Sequence, residues 1–378
     1  MLNIAIIDAD LNYNHKHNFP NLALMKISGY YKERQHKVTL ITNYNELFDN
    51  IKLYDTIYIS KVFTKTIVPD KLLIMTNCRY GGTGFDINNS LPLEIEHHMP
   101  DYNLYTQWVN TQLLNGKKNN FEYYTDYSIG FTTRGCFRKC EFCVNKKYDK
   151  VDLHSPLSEF VDINKKYICL LDDNILGYSH WKDIFSDLIS IGKPFQYKQG
   201  LDERLLTKEK VEILTKCKYR GHYIFAFDDI DDAEVIISKL KLWRTYNSKQ
   251  TKFYVLCGFD KNNKYDNEFW KTDIINTFKR IKILMQFGCF PYIMRYEKYT
   301  ESPYYGTYVN LASWCNQPNL FYKKSYCEWC VEDNARKIKN VNDKSATIRY
   351  LDYFINTMPD TANQYMNLKF YELNEYAK

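Results

Sequence analysis

Three cysteines crowd one short stretch, Gly135-Cys136-Phe-Arg-Lys-Cys140-Glu-Phe-Cys143, spaced C-x3-C-x2-C. Thiolates are soft ligands, and three of them on one loop can hold three irons of a cubane, leaving the fourth iron without a protein ligand. That open iron is a place for chemistry. Zinc and three unrelated buried thiols are the competing readings. Zinc sites favour four nitrogen or sulfur ligands in paired short spacings, whereas this run offers three and follows a strand-like segment.

The elements that must position such a loop can be read from hydrophobic patterning. Strand-like runs stand at Ser128–Thr133, Tyr167–Leu171, Phe195–Lys198, Tyr223–Phe227, Phe253–Leu256 and Phe290–Met294, with helical segments between them. About six such β-α units with right-handed crossovers would curl into an open parallel barrel, its loops gathered at the carboxyl ends of the strands. The cysteine run then leaves the end of the first strand.

Ahead of it, Asn3–Asp8, Val38–Thr42, Asp55–Ser60 and Leu72–Met75 read as strands of a small doubly wound domain, with a helix starting near Pro20 and a Gly81-Gly-Thr-Gly84 turn after the last strand. After Tyr299 the pattern fades into a polar, helix-like tail. The expected fold is α/β: an N-terminal Rossmann-like domain with its connector over 1–120, a partial parallel (β/α)6 barrel over 121–300, and a small, mainly helical region over 301–378.

The cysteine spacing, with aromatic Phe142 just before the third cysteine, resembles the signature of the radical S-adenosylmethionine (SAM) superfamily, over residues of about 125 to 300. The resemblance implies a [4Fe-4S] cluster on Cys136, Cys140 and Cys143, reductive cleavage of bound SAM to a 5′-deoxyadenosyl radical, and an electron donor such as flavodoxin or ferredoxin. It also implies that Phe142 lies against the adenine. Asp172, Asp173 and Asn174, after the second strand, resemble the segment that meets the SAM amino group. Gln199, Asp202 and Arg204, after the third, suit the ribose and the SAM carboxylate.

The N-terminal unit resembles the cobalamin-binding-type domain that precedes the barrel in one branch of that superfamily. The D-x-H-x-x-G loop that gives cobalt a histidine is absent after Asp8, and His15 and His17 stand in the corresponding loop at the wrong spacing. The expectation is a domain without cobalamin, its corrin face filled by Tyr13, His15 and His17 or given over to substrate.

Of the eleven cysteines, Cys327-Glu-Trp-Cys330 has ligand spacing, and Cys315 could join it in an auxiliary cluster or zinc site, with Cys289, Cys78 or substrate as a fourth ligand. Unrelated thiols explain the tail as well. Cys169, Cys217 and Cys257 read as small buried hydrophobes. Arg134, Arg138, Lys139, Lys146, Lys147 and Lys150 crowd the cysteine loop and would suit an anionic substrate such as a nucleotide or nucleic acid, or form a solvated face.

The net charge of +6 does not itself name a nucleic-acid partner, and the 34 tyrosines read as composition before function. No stretch approaches the roughly 20 apolar residues of a membrane span, and the start lacks a signal-like pattern, so the expectation is a cytoplasmic protein. Two rival readings remain at this level: cobalamin-dependent methyl transfer on the same cluster, and a cluster- or zinc-containing nucleic-acid-binding protein without SAM turnover.

Overall fold

The computed structural model describes residues 1–13, 18–117, 121–340 and 343–376. It is a mixed α/β structure that divides into two compact units: Met1–Arg134 with Asp152–Asp172 and Ser186–Phe195, and Gly135–Val151 with Asp173–Phe185 and Gln196–Lys378.

In the first unit, β1 (Asn3–Asp8), β2 (Lys37–Ile41), β3 (Thr56–Ser60) and β4 (Cys78–Gly81) form a parallel sheet in the order β2-β1-β3-β4. The β-branched run of β1 serves both faces: Ile4 and Ile6 enter one apolar cluster with Leu24, Met25 and Trp108, while Ala5 and Ile7 enter another with Ile57, Ile59 and Leu72. A strand buried on both sides needs this continuous apolar sequence. The helix Leu22–Glu33 begins two residues after Pro20, capped by Asn21, whose side chain accepts from Leu24 N.

The strand expected at Leu72–Met75 is instead part of a short helix, Asp70–Leu73, and the fourth strand lies just beyond, at Cys78–Gly81. Pro69 and Asp70 start that turn, and only Leu72 of the apolar run is deeply buried, Ile74 being 82% exposed.

The later strands are β5 (Tyr127–Gly130), β6 (Thr133–Arg134), β7 (Asp152–Leu153), β8 (Tyr167–Leu170), β9 (Phe195–Tyr197), β10 (Tyr223–Ala226), β11 (Thr251–Cys257) and β12 (Cys289–Arg295). All six strands expected of the second alternation are present, in two three-stranded sheets ordered β5-β8-β9 and β10-β11-β12. The pairs β5–β8, β10–β11 and β11–β12 are parallel.

The run Ser128–Thr133, read as one strand, is broken after Gly130. A Cβ there would stand 2.3 Å from the Phe160 ring, and the chain re-forms as β6, antiparallel to β7. The loop carrying the three cysteines leaves from β6 and returns to β7.

In the second unit, the helix Asn267–Gln286 packs on β11 and β12, and its buried Phe278 meets the rings of Tyr326, Phe354 and Tyr365 in the tail. The tail is helical, with Tyr305–Cys315, Tyr326–Lys337 and Ala346–Thr357 its longest helices. It also finishes the edge of the sheet. Asn316 Oδ1 accepts from Ile293 N at 2.7 Å and its Nδ2 donates to Ile293 O at 3.2 Å, as a further strand would. Among the described residues no helix is long and apolar enough to cross a membrane.

Candidate functional site

The cysteine loop is irregular backbone held from within. Gly135 has φ +98°, and a Cβ on it would stand 2.4 Å from Lys150 O, so only glycine lets the two ends of the loop close on each other. Asp173 spans the part that bears the cysteines: one carboxylate oxygen accepts from Gly135 N at 2.8 Å, the other from Asn145 Nδ2 at 2.5 Å. Cys136, Cys140 and Cys143 all lie between these two anchors. Lys139 crosses the loop, donating to Lys146 O and Tyr148 O and pairing with Asp149.

The three thiols are half-buried, and none is in a disulfide. Cys136 Sγ accepts from Arg138 N at 3.4 Å and from Asn174 Nδ2 at 3.3 Å, and Cys143 Sγ accepts from Asn145 N at 3.4 Å. N–H groups directed at sulfur stabilise the thiolate form that a metal requires. Burial pushes the Cys140 thiol up, with Arg204 acting in the opposite sense. Asn174 is 3% exposed, and while its amide nitrogen meets Cys136, its Oδ1 is buried with no partner among the described residues. Such an atom costs stability unless a donor reaches it.

The segment after β9 adds a charged lattice. Asp202 accepts from Arg138 Nε and from Arg204 Nε, both at 2.8 Å, and Arg204 Nη1 reaches Asp232 at 2.8 Å. Arg204, expected to clamp a carboxylate, is therefore already engaged by two acidic residues, and the cysteine loop is tied through Arg138 to the same Asp202. Gln199 is exposed.

Glu203 is buried beneath this lattice and accepts from Ala226 N at 3.2 Å; burial, and then Asp202, push its carboxyl up to about 8. Phe142 packs edge-on against Phe259, which packs edge-on against Tyr296, at centroid separations of 5.6 and 4.9 Å.

Asp172 belongs to the first unit and plays a different part from its neighbours. It is 1% exposed and accepts from Thr132 N, Thr132 Oγ1, Thr133 N and Thr133 Oγ1, between 2.5 and 3.2 Å. Three of these donors meet Oδ1 and one meets Oδ2, so the carboxylate fixes Thr132–Thr133, the residues that lead into Gly135. The spacing of Asp172, Asp173 and Asn174 gave no sign of this division of labour. Asn145, Glu203 and Phe259 were likewise missed, since each acts through a contact distant in sequence.

Among the described residues no three His, Cys, Asp or Glu side chains converge as ligands to a single ion, in the cysteine loop or in the tail. Of the tail cysteines, Cys315 and Cys330 are fully buried on helices, their thiols pushed up by burial, and Cys327 is half-buried. Cys289 lies in β12 and accepts from Arg244 Nη2 at 3.1 Å. Cys169, Cys217 and Cys257 are buried at 5% exposure or less. Of the basic residues near the loop, Arg138 and Lys139 are spent on Asp202 and Asp149, while the Arg134 guanidinium lies 3.4 Å from the Phe131 ring centroid.

In the N-terminal sheet, the loops at the carboxyl ends of the strands are bonded to one another. Asp10 accepts from Val62 N and Thr66 Oγ1, Gly84 N donates to Lys61 O at 3.0 Å, and Thr83 Oγ1 donates to Val62 O at 3.0 Å. A Cβ on Gly84 would stand 2.7 Å from Phe63 O, so this glycine serves loop against loop rather than an open cradle. These residues do not fit a planar macrocycle. Tyr13 is 47% exposed, and His15 and His17 lie outside the described residues.

No family model and no curated protein matches the chain. Among solved structures it is similar to the cobalamin-dependent S-adenosylmethionine radical enzyme OxsB with aqua-cobalamin and S-adenosylmethionine bound, at 13% identity and a TM-score of 0.39. It is also similar to OxsB with aqua-cobalamin alone, at 14% identity and a TM-score of 0.37. The chain is covered throughout in both and spans 58% of the length of those proteins. Function has to be argued from the residues of this chain.

Proposed function

We propose that this protein is a radical SAM enzyme, with a [4Fe-4S] cluster on Cys136, Cys140 and Cys143 and SAM bound beside it. The observation that carries the reading is Asn174, which gives its amide nitrogen to Cys136 while burying an unpartnered oxygen at the same place. An acceptor in that position fits the ammonium of an amino acid bound next to the thiolates.

The donor set fits a cubane: three half-buried thiols on one loop, N–H groups on two of the sulfurs, and each thiolate needed at a different iron rather than at one shared point. When bound and reduced by an external donor, such a cluster supplies the electron that cleaves SAM to a 5′-deoxyadenosyl radical. The chain's own residues do the rest. Asp173 and Gly135 hold the loop shut, Asp202 and Arg138 restrain its middle, and Phe142, backed by Phe259, offers a ring face to the adenine. Asp172 acts one step back, by fixing Thr132 and Thr133.

The test is anaerobic reconstitution of the full chain with iron and sulfide. About four irons and four sulfides should be retained, with 5′-deoxyadenosine formed from SAM under a strong reductant, and Cys140→Ala should lose both. One zinc and no iron after reconstitution would overturn the reading.

A further inference from the structure

The helix Tyr326–Lys337 opens on a pair of cysteines that the cluster does not use. Ser325 caps this helix, and Glu328 accepts from Ser325 N at 3.0 Å, so Cys327 and Cys330 stand on a start that is bonded from both sides. They differ in access. Cys327 is half-buried, whereas Cys330 is fully buried, its sulfur meeting Asn310 Nδ2 at 3.9 Å. Residues three apart share a helix face, with Cα atoms about 5 Å from each other, inside the roughly 4.4–6.8 Å that a disulfide spans. Their Cβ atoms stand about 5–6 Å apart on a regular helix and must close to about 4 Å, so a bond between the sulfurs draws this turn inward.

A movement there has a consequence. Cys327 N has no carbonyl within the helix and donates to Met366 O at 3.0 Å, and Lys369 pairs with Glu328 at 2.5 Å. Both bonds join the turn to the segment Met366–Lys369. Trp329, between the two cysteines in sequence, buries its Nε1 with no partner among the described residues, a cost that the turn bears in its present setting.

We propose that Cys327 and Cys330 form a reversible thiol–disulfide pair, and that its oxidation by a small disulfide loosens the segment Met366–Lys369. The half-buried sulfur meets the oxidant and the buried one completes the bond. The Cys327 thiolate attacks one sulfur of the oxidant and expels a thiolate, which takes up a proton. Cys330 gives up its proton, attacks the Cys327 sulfur and expels the second thiol. Two protein thiols become one disulfide, and one small disulfide becomes two thiols. Burial and then Glu328 push the Cys327 thiol up, so the thiolate is scarce and the exchange is slow. A slow pair follows the standing redox balance rather than brief excursions. Neither step involves the cluster or SAM.

The experiment equilibrates anaerobic full-length protein with glutathione and glutathione disulfide over a range of ratios, quenches in acid, and labels the free thiols of the denatured chain with N-ethylmaleimide. Both cysteines fall in one tryptic peptide, 325–336, bounded by Lys324 and Arg336, so their state is read by mass whatever the other cysteines do. As glutathione disulfide rises, the peptide should pass from doubly labelled to unlabelled and two hydrogens lighter, and dithiothreitol should reverse the change. Cys330→Ala should stop with glutathione on Cys327, and Cys327→Ala should leave Cys330 reduced. Amide exchange at Cys327 and over 366–369 should quicken by roughly tenfold or more in the oxidised protein. A wild-type peptide that stays doubly labelled in glutathione disulfide alone, or that keeps glutathione attached, overturns the pair. Unchanged amide exchange in the oxidised protein overturns the loosening.

Discussion

At the scale of single residues, Asp173 and Glu203 are carboxylates put to opposite uses. Asp173 joins Gly135 to Asn145 across the cysteine loop. Asp173→Ala should leave the far-UV circular dichroism unchanged and cut the iron retained after reconstitution and desalting to well under half, with Asp173→Asn recovering part of it. Full iron in the alanine variant would remove the residue from the loop's support. Glu203 is buried, with its carboxyl up to about 8, so it keeps its proton through neutral pH. The unfolded chain releases that proton near about 4.3, and from there to about 8 the folded state binds more protons than the unfolded one. Stability contributed by this group therefore falls as pH rises through that window. Glu203→Gln keeps an acceptor for Ala226 N and cannot ionise, so relative to wild type it should gain on the order of a few kcal/mol in urea unfolding between pH 5.5 and 8. A variant that tracks the wild type at both pH values would show that Glu203 ionises without cost.

At the scale of elements, the cysteine loop depends on one left-handed residue. Gly135→Ala would place an alanine at φ +98° with its Cβ against Lys150 O, while Gly116→Ala at φ +73° meets nothing within 4 Å. Both carry the backbone cost of about 1–2 kcal/mol, and only the first forces the loop open. Iron retention should accordingly drop in Gly135→Ala and hold in Gly116→Ala; equal retention in the two would make the Lys150 contact irrelevant. Most strands were legible in the sequence because runs such as Ile4–Ile7 or Phe253–Leu256 have little other stable use than a buried parallel strand. Leu72–Met75 was not, since its start at Pro69 and Asp70 outweighed four apolar residues, nor was the break after Gly130, which depends on Phe160, thirty residues on. The loop itself was legible as spacing. The separate tasks of Asp172 and Asp173 were not, because they depend on which donors the fold brings to each carboxylate: Thr132 and Thr133 for one, Gly135 and Asn145 for the other.

At the scale of the whole molecule, the question is what a doubly wound domain does when the carboxyl ends of its strands are closed. In open parallel sheets that edge is the usual place for a ligand. Here Asp10 is spent on Val62 N and Thr66 Oγ1, and the turn after β4 is bonded to the loop after β3 through Gly84, Thr83 and Lys61. Asp8 is equally committed, to Leu11 N at 3.1 Å and to the Tyr105 hydroxyl at 2.8 Å. Opening this edge for a corrin would break several hydrogen bonds at once, that from Thr66 to Asp10 buried, each worth roughly 1 kcal/mol net and more where an acidic group is left without its donor. The sheet does not need a cofactor to stand, because β1 is buried on both faces by its own domain. The expected result of anaerobic incubation with hydroxocobalamin, followed by desalting, is a protein without the corrin absorption bands, whether or not the iron-sulfur cluster has been installed. Stoichiometric retention of the chromophore would mean that these loops open, and would bring cobalamin-dependent methyl transfer ahead of hydrogen abstraction as the chemistry to look for.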